Sequence, residues 1–496
     1  MCIRDRKEIL SPLTKIINRS LTEGKVPRCF KMARIVPLLK KLDPLDVSNY
    51  RPVAILPKLS LILESVVHKQ IIKHFTDNEI YSKNQHGFTK GRSCMTCLTT
   101  IFDRWARASN EKKYTGVLCL DMCAGFDLVD KTILLKKMEA LGIDDNALRW
   151  IENYLTDRFQ SVGIKDKLSS KIEVLFGVPQ GSLLGPLLFL IYCLDLPLCT
   201  RHGTLDQYAD DSASSYADKD AVKICQRTCE DAEEIEQWMR SNYLKLSPGK
   251  TDFMILAGRG VQRSEEMKKL TIQVAGQVFQ QSEYIKLLGI LFHEGIELAP
   301  TLRRTEDHKG LLEEISMRIN MIKRIKPCNE KTLLNLTNGI VLSKILYGIQ
   351  LTGGSTAQMA QKFQTLLNRA ARVVTGAHRS TPGVELMRQC SWLSYKNLVT
   401  YHSLLLLYKI KLCPDGSYLS NKINSRRSRV MDKIATYETN YVGVLNNSFL
   451  PRTIRDFNNL SEEIRGSGSI KKFKKLLWTQ LQKLTEENRT LGDGYN

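Results

Sequence analysis

Long uninterrupted hydrophobic runs are missing from this chain of 496 residues. The most apolar stretch, Leu183 to Cys199, is broken by Gly185, Pro186, Asp195 and Pro197. That is too short and too interrupted to span a bilayer, so a buried helix is expected and no membrane partner. No apolar core follows the charged start, Met1 to Arg6, so no secretory signal is read. Organised cysteine is also missing. The 13 cysteines are an odd number without a regular framework. Cys94-x2-Cys97 and Cys225-x3-Cys229 each lack the second pair that a four-ligand zinc site needs. Reduced thiols in an intracellular protein fit better. Internal repeats and low-complexity tracts are absent. Acidic residues are the scarce sign: 52 against 73 basic ones, a net charge of +21. Such a surplus favours a polyanionic partner, nucleic acid first and an anionic membrane surface second. The rest is ordinary globular composition, 43% apolar and 25% charged, with length for roughly two to four domains.

Against that scarcity, the paired acids of Tyr208-Ala209-Asp210-Asp211 stand out. Thr204 to Ala213 reads as two short strands joined by a tight turn that carries the pair. Acidic residues are disfavoured inside strands and suit turns. Adjacent side chains on extended backbone point to opposite sides, so one carboxylate faces a shared site more directly. Bare carboxylate oxygens suit a hard cation such as Mg²⁺, which binds phosphate oxygens as well. A solvated hairpin turn would look the same in isolation. A third acid has a matching setting. Gly116 to Leu120 is a buried-strand run that ends in Asp121, and a two-metal site needs carboxylates from more than one element.

Other stretches suggest phosphate and base contacts. A strand over Ala33 to Leu39, ending at Lys40 and Lys41, and an extended piece over Asn49 to Pro57 bracket a polar turn. A lysine on one and Arg51 on the other could clamp a triphosphate; a solvated basic hairpin is the alternative. Gln85 to Phe88 and Lys90 to Ser93 form a Gly-punctuated loop, with Arg92, suited to a phosphate backbone. His86, without partner ligands nearby, reads as a packing or capping histidine. Gly177 to Phe189 is a loop leading into an apolar helix, with Gly181 free to approach a ligand and Pro179 stiffening the entry. Lys250 lies where a strand begins and could protonate a leaving pyrophosphate; an ordinary surface lysine is the alternative. Helices are expected over Lys7–Glu23, Leu59–Asn78, Met95–Ala108, Thr132–Leu141, Asn146–Phe159 and Lys219–Asn242, strands within Gln160–Leu175 and over Asp252–Leu256, and a strand-turn-strand over Tyr284–Phe292. From Thr301 the chain turns helical and basic (Arg303, Arg304, Arg318, Lys323, Arg324, Lys326), with further basic clusters at Arg426 to Arg429 and Lys471 to Lys475. That suits a grip on duplex phosphates or a solvated face.

Taken in order, these motifs resemble the reverse transcriptases of non-LTR (LINE-type) retrotransposons, most like the jockey and CR1 groups. The resemblance covers about Lys7 to Phe292, and Leu366 to Gly376 and Phe449 to Asn458 also look like that family. It implies an α+β right-hand polymerase: N-terminal helix and fingers over 1–115, a palm with an antiparallel sheet over 116–300 holding further fingers elements at 132–176, a helical thumb over 301–385, and a helical basic region over 386–496. Asp121, Asp210 and Asp211 match the catalytic metal-binding triad, with the Met122 carbonyl as a further ligand and two Mg²⁺ ions, or Mn²⁺, as cofactors. Lys40 (or Lys41) and Arg51 match triphosphate contacts. Gln180 and Gly181 match the residues under the incoming nucleotide, and Phe126 the gate that rejects a ribose 2′-OH. Leu288 and Gly289 fall in the primer grip, and Arg92 and Tyr208 are assigned to primer and template. Gly125 stands where alanine is usual, a mild change.

The resemblance thus implies RNA-directed DNA synthesis on an RNA template from a DNA primer and dNTPs, in a ribonucleoprotein of nucleus and cytoplasm. No endonuclease, RNase H acid cluster or C-terminal Cys/His knuckle is read, so a 5′-truncated element that polymerises without nicking its target is expected. An RNA-dependent RNA polymerase shares the palm, but Phe126 argues against it. A non-catalytic RNA-binding remnant is the rival from another class.

Overall fold

The computed structural model describes residues 6–40, 43–258, 261, 264–296, 298, 302, 309–325, 328–424, 433–434 and 443–491. Lys41, Arg303, Arg304, Lys326 and the cluster Arg426 to Arg429 lie outside them.

The N-terminal part runs α1 (Arg6–Glu23), β1 (Met32–Leu39), β2 (Tyr50–Ile55), α2 (Lys58–Asp77) and α3 (Cys94–Asn110). Next come β3 (Tyr114–Leu120), α4 (Lys131–Ala140), α5 (Asp145–Leu155), β4 (Phe159–Ile164), β5 (Lys167–Leu168), β6 (Ile172–Glu173) and α6 (Leu184–Tyr192). Then follow β7 (Thr204–Tyr208), β8 (Asp211–Asp218), α7 (Ala221–Ser241), β9 (Asp252–Leu256) and the small hairpins β10 (Ile272–Val274)–β11 (Gln277–Phe279) and β12 (Tyr284–Leu287)–β13 (Ile290–His293). The expected elements are all present within a few residues of their predicted ends.

The central sheet has the order β7-β8-β3-β9, antiparallel throughout. Both faces are covered, which explains why β3 reads as a continuous apolar run rather than an alternating one. Leu118, Leu120, Phe253 and Ile255 join the core that includes α6 and α7. The residues between them, Val117, Cys119, Met254 and Leu256, pack with Leu98 and Trp105 of α3 and with the β12–β13 hairpin. Alternate residues therefore serve two cores, and a one-residue slip would exchange every contact.

A second sheet, β2-β1-β4-β5 with β6 on β4, carries the two phosphate-clamp candidates. Leu39 pairs with Tyr50 and Leu38 with Arg51, and the Lys40 amide donates to the Asn49 carbonyl (2.7 Å). Lys40 and Arg51 thus sit near one end of one antiparallel ribbon. From Leu311 onward the chain is helical and has its own core. The helix Ala357–Thr375 and the later helix Tyr395–Leu412 share it, with the Phe363 and Tyr395 rings stacked at 4.5 Å. No helix among the described residues is long and apolar enough to cross a membrane.

His86 takes a packing role. It is buried, its amide donates to the Gln207 carbonyl (2.8 Å), and its Nδ1 meets the Thr96 hydroxyl (2.9 Å) at the start of α3. Burial, aided by Arg92 and Arg104, pushes its pKa down to about 3. An unfolded imidazole takes a proton near 6.5, so below that pH the unfolded state binds a proton that the folded state refuses, and stability falls. This one group should remove about 1.5 kcal/mol between pH 6.5 and pH 5. Urea unfolding of wild type and His86→Gln at the two pH values checks it: the variant should lose less on acidification, and equal losses would contradict the assignment.

Candidate active site

The acidic turn forms where the β7–β8 hairpin closes. Tyr208 pairs with Asp211, leaving Ala209 and Asp210 as the two turn residues, and Ala209 takes a left-handed φ of 58°. On the neighbouring strand Leu120 pairs with Ser212, so the next step of the ladder brings Asp121 beside Asp211. Past Asp121 the chain is held by Leu246 and its neighbours: the Ser247 amide donates to the Asp121 carbonyl (2.9 Å), and Met122 bridges to Leu246. Asp121, Asp210 and Asp211 line one cleft of about 1110 Å³ together with Met122. That is room for a nucleotide and more.

The charges there interact. Burial first, then the carboxylates of Asp210 and Asp121, raise the Asp211 pKa to about 6; Lys250 and Lys40 oppose the rise. Lys250 Nζ forms an ion pair with Asp121 Oδ2, and this pairing raises the lysine pKa. Among the described residues no three His, Cys, Asp or Glu side chains already converge as a metal cage. The Lys250 ammonium pairs with one of the three carboxylates, Asp121. Three mutually repelling carboxylates with hard oxygen donors fit a divalent ion, which would compete with Lys250 for Asp121.

The cleft's other walls come from the remaining predicted residues. Lys40, Arg51, Phe126, Gln180, Gly181 and Lys250 all line it, as do Tyr208, Leu288 and Gly289. Phe126 is fixed by stacking on Phe189 at 4.4 Å and by an edge contact with Phe88 at 6.5 Å. A Cβ on Gly125 would lie 3.1 Å from the Phe189 ring, so the glycine relieves this packing. The Gln180 carbonyl accepts from the Ala54 amide (2.8 Å), tying the loop to β2, the strand of Arg51. Leu288 (φ 46°) and Gly289 (φ 79°) form the two-residue turn of the β12–β13 hairpin.

Arg92 departs from its predicted role. Its side chain is only 3% exposed and is spent internally: Nε on Asp415, Nη1 on the carbonyls of Ser82, Lys83 and Gln85. The guanidinium is turned inward and is not presented to a phosphate backbone. Of the Gly-punctuated loop around it, Asn84 to His86 are pinned to β7, while Phe88, Lys90 and Gly91 stay exposed. Three site residues were missed by sequence reasoning. Gln85 accepts from the Ala209 amide at 3.0 Å. Glu64, buried on α2, accepts from the Leu183 and Leu184 amides (2.8 and 3.3 Å) at the start of α6, holding the Gln180 loop. The Tyr347 hydroxyl donates to the Leu288 carbonyl. No local pattern flags Glu64 or Tyr347, and the loop motif that contains Gln85 does not tell its partner, because each acts on a distant segment.

A four-stranded antiparallel sheet that presents three carboxylates in a nucleotide-sized cleft, with a second sheet lining the same cleft and a helical module after it, is the palm of a right-hand polymerase. The profile of the reverse transcriptase (RNA-dependent DNA polymerase) family matches residues 39–292, just over half the chain. The chain belongs to that family. Its relatives include the probable RNA-directed DNA polymerase from transposon BS of Drosophila melanogaster, 25% identical over 79% of this chain and 43% of that protein. They also include that from transposon X-element of the same fly, at 23% over 89% and 46%. The RNA-directed DNA polymerase from its mobile element jockey matches at 24% over 75% and 40%. The chain spans less than half the length of each. Among solved structures, a telomerase from Candida tropicalis in complex with a fragment of telomeric RNA aligns at 11% identity and a TM-score of 0.41, covering 95% of this chain and 68% of that one.

Gly181 supplies a sharp test of the loop geometry. Its φ is +121°, and an added Cβ would lie 2.3 Å from the Ala54 carbonyl oxygen. Gly249, on the same cleft, has nothing within 4 Å of its Cβ position. Gly181→Ala should cost about 2 kcal/mol or more, and Gly249→Ala little. Denaturant midpoints of the two variants measure this; equal midpoints would refute the tight approach to β2.

Proposed function

We propose that this chain is an RNA-directed DNA polymerase that extends a DNA primer on an RNA template with dNTPs. The observation that carries the reading is the arrival of Asp121, Asp210 and Asp211 from two adjacent strands on one nucleotide-sized cleft. Those carboxylates, with the Met122 carbonyl, would hold two Mg²⁺ ions, for which Mn²⁺ could substitute. Such ions lower the pKa of the primer 3′-OH and neutralise the triphosphate and leaving group.

The protein's own groups do the positioning. Lys40 and Arg51, on one ribbon above the carboxylates, bind the triphosphate with a point charge and a planar fork. Gln180 and Gly181 lie under the incoming nucleotide, held by β2 on one side and Glu64 on the other. The primer 3′ oxygen forms a bond to the α-phosphorus as the bond to pyrophosphate breaks. Lys250, once released from Asp121, is placed to give the leaving pyrophosphate a proton. Tyr208 and the Leu288–Gly289 turn face the primer end. Phe126, clamped between Phe189 and Phe88, cannot swing away from a 2′-OH, which supports dNTP over rNTP use. The net charge of +21 supports residence on RNA; a ribonucleoprotein of nucleus and cytoplasm is the compartment proposed with it.

Primer extension on an RNA template is the direct test. Asp210→Asn should reduce incorporation about 10²-fold or more with dNTP binding retained, and wild-type-like activity in the variant would end the proposal. Phe126→Ala should admit rNTPs while keeping dNTP incorporation. A wild-type enzyme that already prefers rNTPs would point to an RNA polymerase instead.

A further inference from the structure

The turn that carries Asp210 and Asp211 is not self-supporting. Ala209 holds a left-handed backbone without being glycine, and the carboxylates beside it repel one another. Its fixation comes from the loop that precedes α3. Gln85 Oε1 accepts from the Ala209 amide (3.0 Å) and from the Gly87 amide (2.7 Å). The Gln207 amide donates to the Asn84 carbonyl (2.9 Å) and the His86 amide to the Gln207 carbonyl (2.8 Å), so the loop runs as a short rung along β7. Gly87 lies so near that a Cβ there would be 2.4 Å from the Ala209 nitrogen.

That loop is in turn held from the far end of the chain. Arg92 Nη1 gathers the carbonyls of Ser82 (2.7 Å), Lys83 (3.1 Å) and Gln85 (2.7 Å), while its Nε pairs with Asp415 Oδ2 (2.7 Å). Three residues on, the Tyr418 hydroxyl donates to Asp103 Oδ2 (2.8 Å), and the Arg104 guanidinium lies 4.7 Å from the centre of the Tyr418 ring. Arg104 pairs with the buried Asp206, which lies on β7 itself. The stretch from Asp415 to Tyr418 therefore reaches β7 by two separate routes, one through Arg92 and Gln85 to Ala209, the other through Arg104 to Asp206.

We infer that the Asp415–Tyr418 segment is an intramolecular brace for the catalytic hairpin, with Arg92 and Gln85 as positioning residues that transmit its hold to Ala209. The C-terminal helical region then belongs to the active site's support as well as to any grip on nucleic acid. Removing Asp415 would leave a nearly buried guanidinium without its counter-charge, and the three carbonyls it gathers would lose their fixed donor. The hairpin would keep its pairing to β3 but lose precision at the turn.

The kinetic part of this inference rests on the polymerase reading; amide exchange does not, and separates the two. The full chain should be compared with Asp415→Ala, Asp415→Glu, Tyr418→Phe and Gln85→Leu. In Asp415→Ala and Gln85→Leu, exchange in the peptide spanning 204–213 should quicken about tenfold while β9, on the other side of β3, keeps its protection. Primer extension should show kcat down about five- to tenfold with the dNTP KM within about twofold, as expected when a catalytic group is misplaced rather than a ligand lost. Asp415→Glu should restore most of both, and Tyr418→Phe should give a smaller effect of the same kind. Unchanged hairpin exchange in Asp415→Ala, or β9 and hairpin loosened together, would overturn the brace. The exchange pattern without any wild-type extension would keep the brace and reject the polymerase.

Discussion

Everything at the site follows from the pairing of β3 with β8. The ladder from Tyr114–Asp218 to Leu120–Ser212 delivers Asp121 to the side of the acidic turn. Asp121 and Asp211, 90 positions apart, thereby share one cleft, and mutually repelling carboxylates suit a cation. The register cannot drift, because alternate residues of β3 are committed to two different cores. Lys250, two residues before β9, completes the arrangement by giving Asp121 a counter-ion.

Around this fixed point the rest of the chain supplies walls rather than chemistry. The β1–β2 ribbon brings Lys40 and Arg51 over the cleft, and the Gly181 loop closes against that ribbon through Ala54. Glu64 holds the start of α6 from below, and Tyr347 ties the first helical segments after the sheet to the β12–β13 turn. The helical C-terminal core is separate in its packing, yet its Asp415 and Tyr418 side chains reach back to the loop and helix flanking β7. A cleft built this way is stiff at the carboxylates and open towards solvent, which suits a long polymeric ligand passing over a small reacting centre.

Much of this was legible in the sequence, and the reason is periodicity. Strands buried on both faces read as apolar runs, amphipathic helices as 3.6-residue repeats, and acidic or glycine-rich punctuation marks the turns that face a ligand. Asp121 at a strand end and Asp210-Asp211 at a turn are positions that such patterns locate. Long-range partners are not. Gln85 and Ala209 are 124 residues apart, Glu64 and Leu183 are 119, and Arg92 and Asp415 are 323. Nothing near Arg92 tells whether its guanidinium turns outward to a phosphate or inward to three carbonyls, because a Gly-punctuated basic loop reads the same in both cases. Phe126 shows the other side: its place was readable, but its rigidity comes from Phe189 and Phe88, which only the fold brings to it.

The claim beneath all of this is that Asp121 and the acidic turn hold a divalent ion in common. Crystals of the protein grown with Mn²⁺, a primer–template duplex and a non-hydrolysable dNTP analogue, measured at the manganese absorption edge, address it directly. The account predicts an anomalous peak in contact with carboxylate oxygens of both Asp121 and the Asp210–Asp211 turn, with Lys250 displaced from Asp121. Manganese bound elsewhere, or a clean cleft with Lys250 still seated on Asp121, would contradict it.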